Sequence, residues 1–320
     1  MDSTEAIQEL KKLISDVKPC AVTEFLGWIR SNIDDMYEEA VDKSRQNCDI
    51  MLDTIRDEIR ERLPINATFP TERILTPVAG PNSDCDPTTT VHVDAFLFDD
   101  NVIDGLCDDG KMSRNYCRQC GSKEISPLTF ITHSASVRQI KYMFQYLLPN
   151  LHGKAVLDVG SRTGAVLYGA YLFSDASKIV GVELDKSFCD LQKKIVEKYE
   201  FKDRIKIVHQ NIMNYLQYLN RFDVIILNNV FEFFMEMKAQ KQVWQSLYQN
   251  INKPGTMLIT IPSVKESLQN LQTNINLSKW LKEVDMCEVC KKTNMLMYGQ
   301  EDPDDKDLAS IHLYEVLPRT

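Results

Sequence analysis

A glycine-containing turn and an acidic strand end are the residues of this sequence whose types and spacing best suit ligand binding. The turn is Asp158-Val-Gly160-Ser161-Arg162-Thr-Gly164, which follows a buried apolar run and precedes a helical pattern. Glycines at a turn from strand to helix let the backbone approach a ligand closely. The next apolar run ends at Glu183, 23 residues after Gly160, where a carboxylate can accept hydrogen bonds from two ribose hydroxyls. These two features predict a site for a nucleoside-type ligand.

A third polar position follows the next predicted strand. That strand ends at His209-Gln-Asn211-Ile212, where Asn211 can bond the edge of an adenine and Ile212 can pack against its face. The glycine turn, Glu183 and Asn211 form an ordered set with strands between them, which is more specific than a glycine turn alone. At these residues the chain resembles the class I S-adenosylmethionine-dependent methyltransferases, over roughly residues 133–320.

The resemblance implies S-adenosylmethionine as the cofactor and a role for each matching residue. It implies that the glycine turn lies against the methionine and adenosine parts, that Glu183 holds the ribose, and that Asn211 contacts the adenine amine. The cofactor-binding residues that it implies are Asp158, Gly160, Ser161, Arg162, Gly164, Glu183, Leu184, Asn211, Ile212, Asn228 and His133.

Two residues depart from the pattern of this family. Arg162 stands where the family usually has a third glycine, so its side chain must point out of the turn or towards a carboxylate. There it either binds the methionine carboxylate or spoils the pocket. Asn211 stands where the family usually has Asp, but a side-chain carbonyl can still accept from an amine. A dehydrogenase fingerprint, G-x-G-x-x-G, does not fit this turn.

The segment after the fourth predicted strand holds the candidate catalytic residues. Asn228-Asn229-Val-Phe231-Glu232-Phe233 resembles the V-L-E-H segment of many family members, with Phe233 in place of His. Methyl transfer is an in-line displacement that mainly needs a positioned nucleophile and sometimes a proton acceptor. Asn228 and Asn229 are candidates to orient an amine or hydroxyl, and Glu232 is the candidate base. The alternative is that both phenylalanines belong to the core and that Glu232 caps a helix.

His133 and the cysteines are weaker candidates. His133 precedes the helix that leads into the first strand of the sheet, where the resemblance implies a border of the cofactor site; the alternative is a capped surface group. Cys117 and Cys120 form a C-x-x-C-G pair, and Cys287 and Cys290 form a second pair. Four thiolates can hold one zinc ion, but the pairs lie far apart and the second falls on a predicted strand, where i and i+3 face opposite ways. We expect no metal, with Cys117 and Cys120 as the residual candidates.

The elements that must position these residues divide the chain into three regions. Residues 1–65 are predicted to be helical with a break at Pro19, residues 66–132 form a linker and a small β-rich accessory region, and residues 133–320 form the methyltransferase domain. Alternating strands and helices indicate a doubly wound, Rossmann-like α/β sheet of seven strands. The predicted strands are 91–98, 125–131, 154–159, 178–183, 204–208, 222–227, 255–261, 286–292 and 310–317. The predicted helices after residue 132 are 137–148, 166–173, 187–199, 242–251 and 277–285.

Composition and charge restrict the partners. The net charge is −9, which disfavours a nonspecific binder of nucleic acid, although residues 111–141 carry six bases and one acid. No apolar run reaches the roughly 18 residues that a membrane span needs. The number of cysteines is odd, which favours a reducing compartment. The N-terminus is acidic and lacks the pattern of a signal peptide, so we expect the cytoplasm or the nucleus.

The resemblance therefore implies S-adenosylmethionine-dependent methyl transfer to an unidentified acceptor. A macromolecule is favoured because the accessory region is larger than a small molecule requires. Net charge favours protein over RNA, while the basic stretch keeps RNA open. Two alternatives remain. The first is a catalytically inactive protein that keeps the methyltransferase fold and binds or assembles with partners, with the acidic helical N-terminus as the candidate partner surface. The second is a small-molecule methyltransferase whose N-terminal part is a lid.

Overall fold

The computed structural model of the chain describes residues 3–79, 83, 85–86, 88–118, 124–298 and 306–319. The chain divides into two compact units, Met1–Met51 and Leu52–Thr320. Within the described ranges, none of the helices is both long and apolar enough to cross a membrane.

Two helices form the N-terminal part of the chain. Helix α1 spans Ser3–Asp16 and helix α2 spans Val22–Arg60. Pro19 lies between them, where its missing N–H and its ring prevent a continuous helix. The break predicted at Pro19 is therefore confirmed. The end of α2 belongs to the second unit, where Leu52, Ile55 and Ile59 are buried in the core.

The described residues of the accessory region form short strands and the helix α3 (Asp100–Asp108). Strand β1 (Thr90–His92) pairs in parallel with β4 (Thr129–Ile131), and β2 (Asn115–Cys117) pairs antiparallel with β3 (Ile125–Pro127).

The prediction of one strand over 91–98 is wrong beyond His92. The carboxylate of Asp94 accepts a hydrogen bond from the Leu97 amide at 3.0 Å, which closes a turn. Both Phe96 and Leu97 are fully buried, although neighbours in a strand face opposite ways. The acidic stretch that follows forms helix α3, which Asp99 caps by accepting from the Val102 amide.

A seven-stranded, mostly parallel sheet forms the centre of the second unit and confirms the predicted fold class. The strands lie in the order β10-β11-β9-β8-β5-β6-β7, and β11 runs antiparallel to both neighbours. They are β5 (Ala155–Val159), β6 (Lys178–Glu183), β7 (Ile205–His209), β8 (Val224–Asn228), β9 (Met257–Ile261), β10 (Leu281–Glu283) and β11 (His312–Val316).

Helices cover both faces of this sheet, and two hydrophobic cores result. Successive strand residues face opposite ways, so Val156 belongs to one core and Leu157 to the other. Helices α5 and α6 cover the first face, and α7 covers the second. The helices are α4 (Val137–Lys141), α5 (Ala165–Phe173), α6 (Lys186–Lys198), α7 (Met237–Asn250), α8 (Val264–Leu268), α9 (Leu277–Trp280), α10 (Cys287–Tyr298) and α11 (Lys306–Ala309). A π-helix (Tyr142–Leu147) continues α4, and 3₁₀ turns span Phe201–Asp203, Ile212–Asn214 and Leu216–Arg221.

Two predictions for the C-terminal elements are wrong. The helix predicted over 277–285 ends at Trp280 and is followed by the edge strand β10, while the strand predicted over 286–292 is the helix α10. Met286, Val289 and Cys290 pack against the first core. Their spacing of three and four residues is the periodicity of a helix face, not of a strand.

Candidate active site

A cavity of about 510 Å³ lies at the carboxyl ends of β5, β6, β7 and β8. Open α/β sheets bind ligands at this edge. The predicted site residues that line the cavity are Gly160, Arg162, Glu183, Leu184, Asn211, Ile212, Asn228, Asn229 and His133. Asp158, Ser161 and Gly164 lie behind its wall, and Glu232 lines a neighbouring cavity. The structure thus brings residues from four strand ends and from the helix approach to one place.

Gly160 gives the cavity its closest backbone wall. Its φ of +73° lies in the left-handed region, which favours glycine. A Cβ at Gly160 would overlap the side chain of Val230, which also lines the cavity. The Gly160 amide donates to the carbonyl of Val182 in the neighbouring strand β6, at 2.8 Å. The turn therefore needs glycine at this position for conformation and for space.

The remainder of the turn is tied to helix α6. Ser161 Oγ donates to Gln192 Oε1 at 2.9 Å, and Gln192 Nε2 donates to the Arg162 carbonyl at 2.6 Å. Gln192 is fully buried. Gly164, with a φ of +88°, leads directly into α5, and a Cβ there would meet the ring of Tyr168. Ser161 and Gly164 therefore shape the turn from behind.

Glu183 presents a buried carboxylate at the end of β6. Its Oε2 accepts from the Arg162 amide and its Oε1 from the Asp185 amide, both at 2.8 Å. Burial raises the pKa of Glu183, and the hydrogen bonds from these backbone amides oppose that rise. Each carboxylate oxygen retains a further lone pair, so the group can still accept from two hydroxyls.

Asp158 is a second buried acid, at the penultimate position of strand β5. Burial, followed by the nearby charge of Glu183, raises the pKa of Asp158 to about 8. At neutral pH this carboxyl group is therefore mostly protonated and serves as an O–H donor as well as an acceptor. Asp158 is thus a neutral acid that does not line the cavity, whereas Glu183 is an acid that faces it.

The end of β7 supplies a polar and an apolar wall. Asn211 Oδ1 accepts from the Met213 amide at 2.9 Å, which caps the 3₁₀ turn that begins at Ile212. The second lone pair of this oxygen remains an acceptor for an exocyclic amine. Ile212 is buried and lines the same cavity.

The side chain of Arg162 points towards two carboxylates of the accessory region. Its Nε and Nη2 bond the two oxygens of Glu72 at 2.8 and 3.0 Å, and its Nη1 bonds Asp94 Oδ2 at 2.9 Å. Its Nη2 also donates to the Ala67 carbonyl at 2.9 Å. The φ of Arg162 is +41°, an uncommon value for a residue with a side chain. The sequence left open whether Arg162 points out of the turn or towards a carboxylate, and it did not single out Glu72 and Asp94, because they lie 90 and 68 residues upstream without any motif.

His133 is buried beside a second histidine and is not a surface group. His92 Nδ1 and His133 Nε2 lie 2.9 Å apart, and the rings of Phe233 and Phe234 contact His133 edge-on. Among the described residues, His133 Nδ1 has no hydrogen-bond partner. Burial, then the charge of Arg162 and then His92, lower the pKa of His133 to about 3, so it is neutral at physiological pH.

The candidate catalytic residues lie where two cavities meet. Asn228 lines the first cavity, and Asn229 also lines a second cavity of about 740 Å³. Glu232 lines only the second. Phe231 and Phe233 are buried, as the core interpretation predicted. The suggestion that Glu232 caps a helix is wrong, since α7 begins at Met237 and its N-cap position is Glu236.

The structure describes only some of the residues of the two cysteine pairs. Cys117 lies in β2, while Cys120 and the side chain of Cys287 lie outside the described residues. The second pair belongs to α10, so the strand argument against it fails. Within the part of the chain that the structure describes, no three His, Cys, Asp or Glu side chains are grouped to hold a metal ion.

Comparison with known proteins identifies the family. A family model described as a methyltransferase domain matches residues 150–309, half of the chain. An uncharacterised protein of Haemophilus influenzae is 28% identical over 116 residues, which are 36% of this chain and 44% of that protein. The chain thus matches less than half the length of this curated relative.

Two solved structures are more distant. The AdoHcy complex of PKMT2 from Rickettsia typhi has 22% identity and a TM-score of 0.31, and the match covers 39% of this chain and 24% of that chain. An RNA methyltransferase from Salinibacter ruber, in complex with S-adenosyl-L-homocysteine, has 13% identity and a TM-score of 0.34, over 57% of this chain and 90% of that chain. The methyltransferase family that matches residues 150–309 uses S-adenosylmethionine as its cofactor. The chain belongs to the methyltransferase-domain family, within the class I S-adenosylmethionine-dependent methyltransferases.

Proposed function

We propose that this chain transfers the methyl group of S-adenosylmethionine to a macromolecular acceptor, and that the acceptor is a protein rather than an RNA. One observation carries the proposal: the left-handed Gly160 at the end of β5 and the buried carboxylate of Glu183 at the end of β6 line the same cavity. A close backbone wall and a ribose-binding acid are the two parts that a nucleoside-containing cofactor requires.

The residues of the cavity fit this cofactor. A volume of about 510 Å³ lies within the usual range for small-molecule sites. Glu183 has lone pairs for the ribose hydroxyls, Asn211 has an acceptor for the adenine amine, and Ile212 offers an apolar face. Arg162 is held by Glu72 and Asp94, and the cavity exists with the guanidinium in this position. These observations favour an enzyme over a protein whose site Arg162 has closed.

The second cavity is the proposed acceptor site. It shares Asn229, Val230, Phe231 and Met235 with the first cavity, at the carboxyl end of β8. When bound, S-adenosylmethionine supplies an electrophilic methyl group for in-line displacement. Asn229, at the junction, orients the acceptor atom, and Glu232 accepts its proton if one is released.

Charge favours a protein acceptor over a nucleic acid. The second cavity is lined by three carboxylates, Glu232, Glu236 and Glu266, and by one ammonium group, Lys238. Together with the net charge of −9, this disfavours a phosphate-bearing acceptor. The same proposal assigns the chain to the cytoplasm or nucleus, because nine cysteines without a disulfide pattern suit a reducing compartment.

Labelled methyl transfer into fractionated cell extract tests the proposal. Purified protein is incubated with methyl-labelled S-adenosylmethionine and extract that is untreated, protease-treated or nuclease-treated, with Glu183→Ala as the control for enzyme-dependent label. We expect incorporation that protease abolishes and nuclease does not. Label that nuclease removes would identify RNA instead, and label that persists in small molecules would identify a metabolite. Absence of label together with absence of cofactor binding would support the inactive assembly protein.

A further inference from the structure

Residues 71–75, called here the strap, run along the cofactor cavity from helix α6 to the segment beyond β8. At one end, Thr71 Oγ1 lies 3.4 Å from Ser187 Oγ in the first turn of α6. At the other end, the Leu75 amide donates to the Phe233 carbonyl, beyond β8, at 2.7 Å. Thr71, Glu72 and Arg73 line the cavity between these two contacts. The strap therefore passes over the carboxyl end of β5, which lies between β6 and β8 in the sheet.

The middle of the strap is fixed by an ion pair that occupies Arg162. Glu72 and Arg162 are both about nine-tenths buried, and both carboxylate oxygens of Glu72 are bonded by the guanidinium. The other donors of Arg162 are directed to Asp94 and to the carbonyl of Ala67. A guanidinium has five N–H donors in a fixed arrangement, so little of Arg162 remains for an anion in the cavity.

Arg73 is the cation of the strap that retains its binding capacity. Its side chain is exposed and lines the cavity. Among the described residues, Arg73 forms no ion pair, whereas Lys186, another cation of the cavity wall, pairs with Asp190 at 2.5 Å. The neighbouring acid Glu72 is already neutralised by Arg162. An anionic group of a ligand in this cavity would therefore meet Arg73.

We propose that Arg73 binds the α-carboxylate of the methionine part of the cofactor, an inference that rests on the proposed function. Glu183 and Asn211 place the ribose and the adenine at β6 and β7, so the amino-acid end must extend towards β5 and β8. That is the part of the cavity that the strap covers. A guanidinium matches a carboxylate with two parallel hydrogen bonds, which a lysine cannot reproduce. Arg162 is then a positioning residue that holds the strap, and Arg73 is the binding residue.

The test compares two ligands that differ in the carboxylate-bearing part. S-adenosylhomocysteine carries the α-carboxylate, while 5′-methylthioadenosine has the same nucleoside and thioether without the amino-acid end. Both are titrated calorimetrically into the wild-type chain, Arg73→Gln, Arg73→Lys and, as the control, Arg221→Gln, whose side chain stacks on Tyr218 away from the cavity. We expect Arg73→Gln to weaken S-adenosylhomocysteine binding by about 10- to 100-fold and to leave methylthioadenosine binding unchanged. Arg73→Lys should be intermediate, and Arg221→Gln should match the wild type.

Three results would overturn the inference in distinguishable ways. Unchanged S-adenosylhomocysteine binding by Arg73→Gln, while the wild type binds, would remove Arg73 from the site and leave the proposed function standing. An equal loss for both ligands would show that Arg73 acts on the nucleoside or on the fold. Failure of the folded wild type to bind either ligand would contradict the proposed function itself and this inference with it.

Discussion

The guanidinium of Arg162 and the carboxylate of Glu72 form a buried bidentate ion pair, with N–O distances of 2.8 and 3.0 Å. The pair joins the glycine turn after β5 to a segment that lies 90 residues earlier in the chain. The accessory region is therefore part of the cavity wall and not an independent appendage. This explains how a turn of this fold can carry an arginine where a glycine is usual.

Breaking this pair should destabilise the second unit strongly. Glu72→Gln leaves the charge of Arg162 buried with only Asp94 as its ionic partner, and loss of one partner from a buried pair costs about 3 kcal/mol of unfolding free energy. Glu197→Gln is the matched control, since Glu197 forms an exposed pair with Lys202 and should barely change the urea midpoint. Urea unfolding of both variants measures the difference. Equal urea midpoints of Glu72→Gln, Glu197→Gln and the wild type would show that the Arg162–Glu72 pair contributes little to the free energy of unfolding.

Glycine at position 160 should be required for cofactor binding as well as for conformation. Gly160 and Gly255 have φ values of +73° and +77°, so alanine at either position costs about 1 kcal/mol of stability. A Cβ at Gly255 meets nothing within 4 Å, whereas one at Gly160 displaces Val230 in the cavity wall. We expect only Gly160→Ala to lose affinity for S-adenosylhomocysteine, as measured by calorimetry. Equal affinities of the two variants would contradict the close approach of this turn to the cofactor.

The buried His133 should contribute a loss of stability in acid. The pKa of His133 is about 3 in the folded chain, below its ordinary value of 6.5, so only the unfolded state gains the proton as pH falls below about 6.5. His133 alone thereby lowers the unfolding free energy by about 2 kcal/mol at pH 5 relative to neutral pH, while Asp158, whose pKa is about 8 in the folded chain, acts in the opposite direction over this range. His133→Gln should remove this contribution, so that its unfolding free energy falls less, or rises more, than that of the wild type between pH 7 and pH 5, whereas His152→Gln, at an exposed histidine, should follow the wild type. Urea unfolding at pH 7 and pH 5 measures the difference; identical pH dependence in all three proteins would refute it.

Glu232 should affect transfer without affecting cofactor binding. It lines the second cavity and not the first, so Glu232→Gln removes a proton acceptor while the cofactor cavity stays intact. If the acceptor must lose a proton, the rate of label incorporation into extract should fall by about 100-fold. The affinity for S-adenosylhomocysteine should not change. Glu197→Gln, at an exposed carboxylate that lines neither cavity, is the control that should retain the rate, and a wild-type rate for Glu232→Gln would remove Glu232 from the mechanism.

Much of the sheet could be predicted because its strands are buried on both faces. Runs such as Val156 to Val159 and Ile179 to Val182 are too short to be buried helices and therefore indicate strands, and the polar residues that follow them mark the binding edge. For this reason the positions of Gly160, Glu183 and Asn211 around one cavity could be anticipated. The prediction of a strand over 286–292 was wrong because a short run of mixed polar and apolar residues does not distinguish the period of two of a strand from the period of 3.6 of a helix.

The accessory part of the cavity could not be predicted. Arg162 allows a carboxylate partner as one of two alternatives, but Glu72 lies in a loop that contains no helix, no strand and no motif. His92 and His133 meet only because β1 and β4 pair across a gap in sequence. Contacts of this kind depend on tertiary packing, which local patterns do not encode.

Calorimetric titration with S-adenosylhomocysteine of the wild-type chain, Glu183→Gln and the exposed control Glu197→Gln tests the central claim most directly. The account predicts micromolar binding by the wild type and the control, and a loss of at least about 10-fold for Glu183→Gln, because an amide cannot accept hydrogen bonds from both ribose hydroxyls. Absence of binding by the folded wild type, or unchanged binding by Glu183→Gln, would contradict it.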